Sequence, residues 1–214
     1  MSMHDVDPTM DPTEFWEGRY GTGDNIWSGK ANAVLEKVAS ELTPGTAFDL
    51  GAGEGGDVLW LASLGWDATG LELSRTAVAR AESAAEKAGL SERTHFFAQD
   101  LHQWQPEQQY DLVTASFFQS PVALERHEIL KRATQAVASG GTMLITSHTA
   151  PPSGKEPNFD RSMFPQPDTD LTALNLDPEL WDVATAEIWT REGTHHGHDE
   201  IMTFEDTVVI VRRK

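Results

Sequence analysis

The segment Asp49-Leu-Gly-Ala-Gly-Glu-Gly-Gly56 contains the glycine pattern G-x-G-x-x-G, formed by Gly51, Gly53 and Gly56. A short apolar run precedes the pattern, and a helical pattern follows it. At the carboxyl end of a strand, such a loop lets the backbone approach a ligand closely. Glycines also make tight turns in proteins that bind nothing there, so the pattern alone leaves both interpretations open.

The order strand, turn, helix repeats along the chain. Five predicted strands separated mostly by helices favour a parallel sheet with right-handed crossovers and helices on both faces. Two later runs joined by a polar connection, residues 181–189 and 207–211, predict a closing antiparallel pair. We therefore expect a doubly wound, Rossmann-like α/β fold with a seven-stranded, mostly parallel sheet and a C-terminal antiparallel hairpin. The predicted strands before the hairpin are residues 46–50, 67–72, 95–99, 110–117 and 142–147, and the predicted helices are residues 31–42, 57–64, 74–89, 120–138 and 171–176.

The rest of the chain suggests one domain with two irregular segments. Residues 1–14 are polar and contain two prolines, which predicts a flexible N-terminal tail before a single domain at residues 15–214. Residues 149–168 contain five prolines, too many for regular structure. We expect this segment to form a proline-rich loop over the carboxyl edge of the sheet.

Composition excludes several classes of protein. The 214 residues carry 16 Lys and Arg against 34 Asp and Glu, a formal net charge of −18. Such a surface repels phosphate backbones and anionic lipids, so we expect neither a nucleic-acid nor a membrane partner. The acidic N-terminus lacks the features of a signal peptide, which favours a cytoplasmic location, with the chain a monomer or a homodimer. With no cysteine, thiol nucleophiles and thiolate metal sites are excluded.

Glu72 strengthens the functional interpretation of the glycine loop. It ends the second predicted strand, about 20 residues beyond the glycines, where a carboxylate can accept both hydroxyl groups of a ribose. A lone glutamate is usually a solvated surface charge, but the end of a core strand is an unusual place for one. Together, the loop and this carboxylate indicate an adenosine-containing cofactor.

The segment Asp-Leu-Gly-Ala-Gly-Glu-Gly resembles the first motif of the class I S-adenosylmethionine-dependent methyltransferases. Residues 69–74, 98–101 and 110–117 resemble the second-, third- and fourth-strand motifs of that family. Residues 15–27 resemble the N-terminal region of small methyltransferases of the tellurite-resistance and thiopurine-methylating kind, in which this region, residues 15–30 here, covers the cofactor. The resemblance implies methyl transfer from S-adenosylmethionine to a small-molecule acceptor.

The same resemblance implies a set of cofactor-binding residues. Glu72 would bind the ribose, Asp100 would face the adenine amino group, and Asp49 with the glycine loop would hold the methionine part. The Ser116 carbonyl is a candidate partner for the methionine amino group. The implied cofactor-binding residues are Arg19, Tyr20, Trp27, Asp49, Gly51, Ala52, Gly53, Gly55, Glu72, Leu73, Gln99, Asp100, Leu101, Ser116 and Phe117.

Three of these residues belong to the N-terminal region. Arg19 would pair with the carboxylate of the cofactor. Tyr20 and Trp27 would lie against the sulfonium or the purine, because an aromatic face attracts a cation and stacks on a base. Ordinary packing of a covering segment explains the two aromatic residues equally well.

Two groups of histidines lie outside the cofactor motifs. His148 follows the fifth predicted strand and could take a proton from the acceptor, although a structural histidine is the commoner case. Phe117, Phe118 and Gln119 could line the acceptor pocket. The run His195-His196-Gly197-His198-Asp199 offers metal ligands, but adjacent residues in a hairpin loop rarely converge on one point, so we expect no metal site.

Two alternative functions share part of this pattern. A nicotinamide-dependent oxidoreductase would have the same glycine loop and acidic strand end, but it would need a substrate domain and would not explain the motif around Asp100. A non-catalytic adenosine-ligand-binding protein could keep every cofactor residue without turnover. The acceptor atom stays open among thiol, selenol, tellurite, hydroxyl and amine, because it depends on loops that no motif defines.

Overall fold

The computed structural model describes residues 6–23, 25–150, 160–194 and 201–214. Within these ranges the strands are β1 (Thr46–Leu50), β2 (Asp67–Glu72), β3 (Thr94–Ala98), β4 (Tyr110–Ser116), β5 (Val137–His148), β6 (Trp181–Thr194) and β7 (Ile201–Arg213). The helices are α1 (Pro12–Gly21), α2 (Ala33–Ala39), α3 (Gly56–Ser63), α4 (Arg75–Ala88), α5 (Arg126–Ala133) and α6 (Pro167–Leu174). No helix in this described part has the length and apolar character needed to cross a bilayer.

The strands form one sheet in the order β3-β2-β1-β4-β5-β7-β6. Strands β1 to β5 pair in parallel, and β7 runs antiparallel to both β5 and β6. This arrangement confirms the predicted doubly wound fold with its closing hairpin. The hairpin is longer than predicted, since β6 and β7 stay paired beyond His148, the last residue of β5. Its far end therefore extends past the carboxyl edge of the parallel strands.

Both faces of the sheet are buried, as a parallel sheet requires. Because side chains alternate along a strand, neighbouring residues of β1 serve opposite faces. Phe48 stacks on Trp104 and Tyr110, with ring centroids 5.0 and 4.9 Å apart, in the apolar cluster that includes residues of α5 and α6. Ala47 belongs to the cluster on the other side, with residues of α2, α3 and α4. The carboxyl edge between these two cores is where the candidate site lies.

Local sequence signals explain the ends of two helices. Helix α4 begins after Ser74, whose side chain accepts a hydrogen bond from the Ala77 amide, and ends at Gly89 in the left-handed conformation, as the sequence predicts. Helix α1 begins at Pro12 after an Asp11 cap. Residues 12–14, which the sequence pattern assigns to the tail, therefore lie in a helix.

The helix predicted from residue 120 begins only at Arg126, so that prediction was wrong at its start. The Arg126 Nε donates to the Phe118 carbonyl at 2.9 Å. The Gln119 side chain accepts from the His148 amide at 2.9 Å and donates to the His148 carbonyl at 3.4 Å. These bonds connect the chain after β4 to β5 and to the start of α5, and residues 120–125 between them are irregular.

Candidate active site

The glycine loop after β1 is bonded to the end of β2. The amides of Gly51 and Ala52 both donate to the Leu71 carbonyl at 2.9 Å, and the Gly53 amide donates to Glu72 Oε2 at 3.0 Å. The backbone at Gly51 and Gly53 has φ of 72° and 54°, a region that glycine adopts without strain. Three consecutive amides of the loop are therefore used within the protein.

Three buried carboxylates lie beside this loop, and we call Asp49, Asp57 and Glu72 the acidic cluster. Asp49 Oδ1 accepts from the Thr114 hydroxyl at 2.6 Å, and Asp57 accepts from the amide and side chain of Asn32, both at 2.8 Å. Burial raises the pKa of all three carboxyl groups, and for Asp49 the negative charges of the other two raise the pKa further. A cation placed against the cluster would favour its ionised form.

The N-terminal segment lies over the glycine loop. Trp27 Nε1 donates to the Tyr20 hydroxyl at 3.0 Å. A Cβ atom at Gly53 would come within 3.1 Å of that hydroxyl and 3.3 Å of Trp27 Nε1, so a side chain there would press on both aromatic residues. Tyr20 is buried, whereas Trp27 keeps 43% of its surface exposed. The two aromatic residues of the implied site are thus brought to the loop.

Glu54, the acidic residue within the glycine loop, fastens this segment. Its Oε2 accepts from the amides of Ile26 and Trp27, both at 2.9 Å. Its Oε1 pairs with Arg80 Nη1 at 2.7 Å, and Arg80 Nη2 also donates to the Tyr20 carbonyl at 2.7 Å. The sequence analysis missed both Glu54 and Arg80. A charged residue between two glycines was the available signal for the first, and nothing local marked the second.

Arg19 and Asp100 each have a polar atom that forms no hydrogen bond with the described residues. The Nε of Arg19 is buried without a hydrogen-bond partner among the described residues, and its guanidinium lies 5.8 Å from the Trp27 ring. Asp100 Oδ1 accepts from the amide and ring of His102, both at 2.9 Å. No bond to Asp100 Oδ2 occurs within the part of the chain that the structure describes.

The structure brings Glu72 and Asp100 to one edge. Glu72 is the last residue of β2, and Asp100 comes shortly after the end of the adjacent parallel strand β3. The Gln99 amide donates to the Glu72 carbonyl at 2.8 Å. Leu73 is half-buried and Gln99 is exposed. Leu101 packs in the apolar cluster on the α5 and α6 side of the sheet.

The residues after β4 and β5 form the neighbouring part of the edge. The Ser116 side chain lies beside Asp57 and opposes the rise in the pKa of that carboxyl group, and Phe117 has a left-handed φ of 51°. The Phe117 ring lies 4.3 Å from the His148 ring. Phe118 packs on the glycine loop, since a Cβ at Gly51 would come within 2.8 Å of its ring. The site predicted around His148 therefore adjoins the predicted cofactor loop.

Comparisons with known proteins agree with this geometry. Residues 47–141 match a family model described as "Methyltransferase domain". This segment, which holds the glycine loop, Glu72 and Asp100, is therefore similar to a methyltransferase domain. "Probable thiol methyltransferase 2" of Arabidopsis thaliana is 30% identical over 101 residues, which are 46% of this chain and 45% of that protein. The chain thus aligns with less than half the length of that relative.

Solved structures resemble the whole fold. TehB from Haemophilus influenzae has a TM-score of 0.65 and 19% identity, with 94% of this chain and 67% of that chain covered. The N-methyltransferase NodS from Bradyrhizobium japonicum, in complex with S-adenosyl-L-homocysteine, has a TM-score of 0.67 and 14% identity, covering 95% and 99%. At these identities the likeness concerns the fold, which it confirms.

The histidine run at residues 195–198 lies outside the described residues, as do residues 151–159 of the predicted proline-rich loop. Among the residues that the structure does describe, no group of three or more His, Asp or Glu side chains could hold a metal ion.

Proposed function

We propose that this chain transfers a methyl group from S-adenosylmethionine to a small-molecule acceptor at the carboxyl edge of its sheet. The observation that carries the proposal is the pairing of the acidic cluster with Arg19 around one glycine loop. The methionine part of the cofactor bears two positive charges, on sulfur and nitrogen, and one negative charge, on the carboxylate. The cluster suits the cations, and the unpaired Nε of Arg19 suits the carboxylate.

The remaining donors and acceptors fit the nucleoside. Glu72 already accepts from Gly53 and Ser74, but a carboxylate offers about four lone-pair sites, so it can also accept from ribose hydroxyls. Asp100 Oδ2 is an acceptor for the adenine amino group. The exposed face of Trp27 suits stacking on the purine or contact with the sulfonium.

The same features disfavour the oxidoreductase alternative. A dinucleotide would place a pyrophosphate, with two negative charges, against the glycine loop. Here, three amides of that loop already bond to Leu71 and Glu72, and the acidic cluster would repel phosphate. A dinucleotide would therefore lose both the hydrogen bonds and the electrostatic attraction that it needs.

The main task of the protein in this reaction is to position the cofactor and the acceptor. When bound, S-adenosylmethionine supplies a methyl group whose transfer breaks its bond to the sulfonium, with the bonding electrons remaining on the leaving sulfur. The chain's own residues bind the cofactor, exclude water and align the acceptor. The N-terminal segment fastened by Glu54 and Arg80 covers the site, and Phe117 and Phe118 border it.

A thiol is the acceptor class that we propose first. The curated relative is named as a probable thiol methyltransferase, which supports a sulfur acceptor. A thiol also becomes a strong nucleophile once it loses a proton, and His148 lies at the same edge. Incubation with S-adenosylmethionine and a panel of thiols, amines and phenols should yield S-adenosylhomocysteine most rapidly with thiols. No product with any acceptor would favour the non-catalytic binding alternative.

Calorimetry tests the cofactor assignment with two ligands. S-adenosylhomocysteine carries the amino-acid part, whereas methylthioadenosine lacks it. We expect Arg19→Gln to weaken binding of the first about 10- to 100-fold and leave the second unchanged, since it removes one charged hydrogen bond. Glu72→Gln should weaken both ligands by a similar factor.

Arg212→Gln is a matched control, because Arg212 is exposed and lies on β7 opposite Thr142, away from the carboxyl edge. It should leave both affinities unchanged. Equal effects of Arg19→Gln on the two ligands would contradict the carboxylate assignment. Tight binding of NAD without affinity for either nucleoside would contradict the proposed function.

A further inference from the structure

His148 belongs to a buried charged network that the cofactor site does not use. Its Nδ1 lies 3.0 Å from Asp206 Oδ1, and Arg191 Nε donates to Asp206 Oδ2 at 2.6 Å. The Asp206 side chain is 1% exposed, whereas the His148 side chain is 41% exposed. One buried carboxylate thus joins an accessible imidazole to a guanidinium.

Backbone pairing and side-chain clamps fix this arrangement. His148 and Asp206 are direct partners in the β5 and β7 register, and Arg191 faces Phe204 on the paired strands β6 and β7. The side chain of Gln119 bonds to both the amide and the carbonyl of His148. The imidazole therefore sits at the end of a central strand whose last residue cannot turn freely.

Aromatic rings enclose the two cationic groups. The Phe117 ring lies 4.3 Å from the imidazole, and the Arg191 guanidinium lies 4.4 Å from the Phe204 ring and 5.6 Å from that of Phe117. Phe117 holds this place in a left-handed conformation, which is strained for a bulky residue and is typical of functional sites. Its neighbour Phe118 packs on Gly51 of the cofactor loop.

The hydrogen bonds determine which ring nitrogen faces the site. A carboxylate only accepts hydrogen bonds, so Nδ1 carries the proton toward Asp206 and the lone pair lies on Nε2. Nε2 makes no hydrogen bond within the described ranges, and 41% of the His148 side chain is exposed. Arg191 uses Nε on Asp206, which leaves its terminal nitrogens without a hydrogen bond to any described residue.

We propose that His148 Nε2 is the base that takes the proton of the acceptor thiol, that Asp206 is the residue that positions it, and that Arg191 stabilises the resulting thiolate. This inference rests on the proposed function. The S–H bond breaks, its electron pair stays on sulfur, and an N–H bond forms at Nε2. Asp206 stabilises the imidazolium, which then releases its proton to water at its exposed face.

The assignment of a base separates acceptors by their acidity. An alkyl thiol is protonated near neutral pH and needs the base, whereas an electron-poor aryl thiol is already ionised in solution. We expect His148→Gln to lower kcat/KM about 100- to 10,000-fold for the alkyl thiol and to change it less than about 3-fold for the aryl thiol. Arg191→Gln should lower kcat/KM for both, because both react as thiolates.

Asp206→Asn tests the positioning role with the same two thiols. The charged groups that face the imidazole are Asp206 from β7 and Arg191 from β6, while Phe117, Phe204 and Gln119 complete its surroundings without charge. Asparagine keeps a polar partner for Nδ1 but removes the charge that stabilises the imidazolium. It should therefore lower kcat/KM at least tenfold for the alkyl thiol alone.

The outcomes separate this inference from the proposed function. Binding of S-adenosylhomocysteine to each variant shows that it is folded, and His148→Gln, a change at an accessible side chain, remains informative if Asp206→Asn does not fold. An equal loss for both thiols in His148→Gln would assign the ring a packing role and overturn the inference alone. A wild-type protein that binds the cofactor product but methylates neither thiol would overturn the thiol proposal and this inference together.

Discussion

Replacing Asp49 with asparagine should make the free protein more stable while weakening its hold on the cofactor. Asp49 is 4% exposed, and its Oδ1 accepts from the Thr114 hydroxyl at 2.6 Å. Asparagine keeps an oxygen for that bond but carries no charge. Because burial raises the pKa of Asp49, and the charges of Asp57 and Glu72 raise it further, ionisation of this group opposes folding.

The sign of the pH dependence follows from the raised pKa. A carboxyl group with a raised folded-state pKa stabilises the fold in its protonated form, and this contribution is lost as pH rises through that pKa. Asparagine does not titrate, so the variant and the wild type should have similar free energies of unfolding at about pH 4. Above that pH the wild type should become less stable than the variant. We expect the free energy of unfolding to rise by about 1–3 kcal/mol at about pH 8, the scale of relieving one buried charge. For a chain of this size, each kcal/mol raises Tm by about 3 °C.

Urea denaturation across this pH range measures the stability, and calorimetry with S-adenosylmethionine measures the binding. The affinity of Asp49→Asn should fall about 10- to 100-fold, since the variant lacks one negative charge facing the cofactor cations. A variant that is less stable than the wild type at about pH 8 would refute the electrostatic reasoning. Unchanged affinity would refute the role of Asp49 in binding.

Three further predictions concern the loop, the fold and the acidic cluster. Gly51→Ala should lower the free energy of unfolding by about 2–4 kcal/mol, because φ is 72° and the new Cβ would lie 2.8 Å from Phe118. Gly89→Ala, with φ of 69° and no atom within 4 Å, should lower it by only about 1 kcal/mol. Equal losses of the two variants in urea denaturation would contradict the packing argument. Arg126→Met should lower the free energy of unfolding by about 3–5 kcal/mol, since it leaves Asp170 fully buried without its bidentate partner. Adding Asp170→Leu should restore much of that stability. If the second substitution instead lowers the stability further, the ion pair is not the cause. Binding of S-adenosylmethionine at about pH 6 should release protons, because the bound cation lowers the raised pKa values of the acidic cluster. The affinity should therefore rise with pH. Calorimetry in two buffers of different ionisation enthalpy tests this, since equal heats in both buffers would mean that no proton is released.

The parts of the fold that the sequence predicted well depend on short-range signals. The strand before Gly51, the glycine turn and the helix after it are all encoded within about one βα unit. The Ser74 cap and the Gly89 end of α4 act on residues three or four positions away. The start of α5 could not be predicted, because Arg126 takes partners on the Phe118 carbonyl and on Asp170, 44 positions away in the chain.

The same distinction between short-range signals and long-range contacts applies to the candidate site. Glu72 and Asp100 could be placed because one ends a predicted strand and the other directly follows one, and parallel strands end at one edge. Arg80, Asp206 and Arg191 could not, because each acts on a partner from a distant segment, as with Asp206 and His148, 58 positions apart. The one available signal for Asp206 was an acidic residue directly before the apolar run at residues 207–211, where a buried strand leaves no room for an unpaired charge.

The contacts of Glu54 tie the covering segment to the loop that it covers. Its pair with Arg80 is partly shielded, with side-chain exposures of 23% and 5%, yet the Arg80 end still meets solvent. Under the proposed function, release of the nucleoside product would need this ion pair to separate, and dissolved ions compete for both of its charges. Where product departure limits turnover, moderate ionic strength should therefore quicken the catalytic cycle.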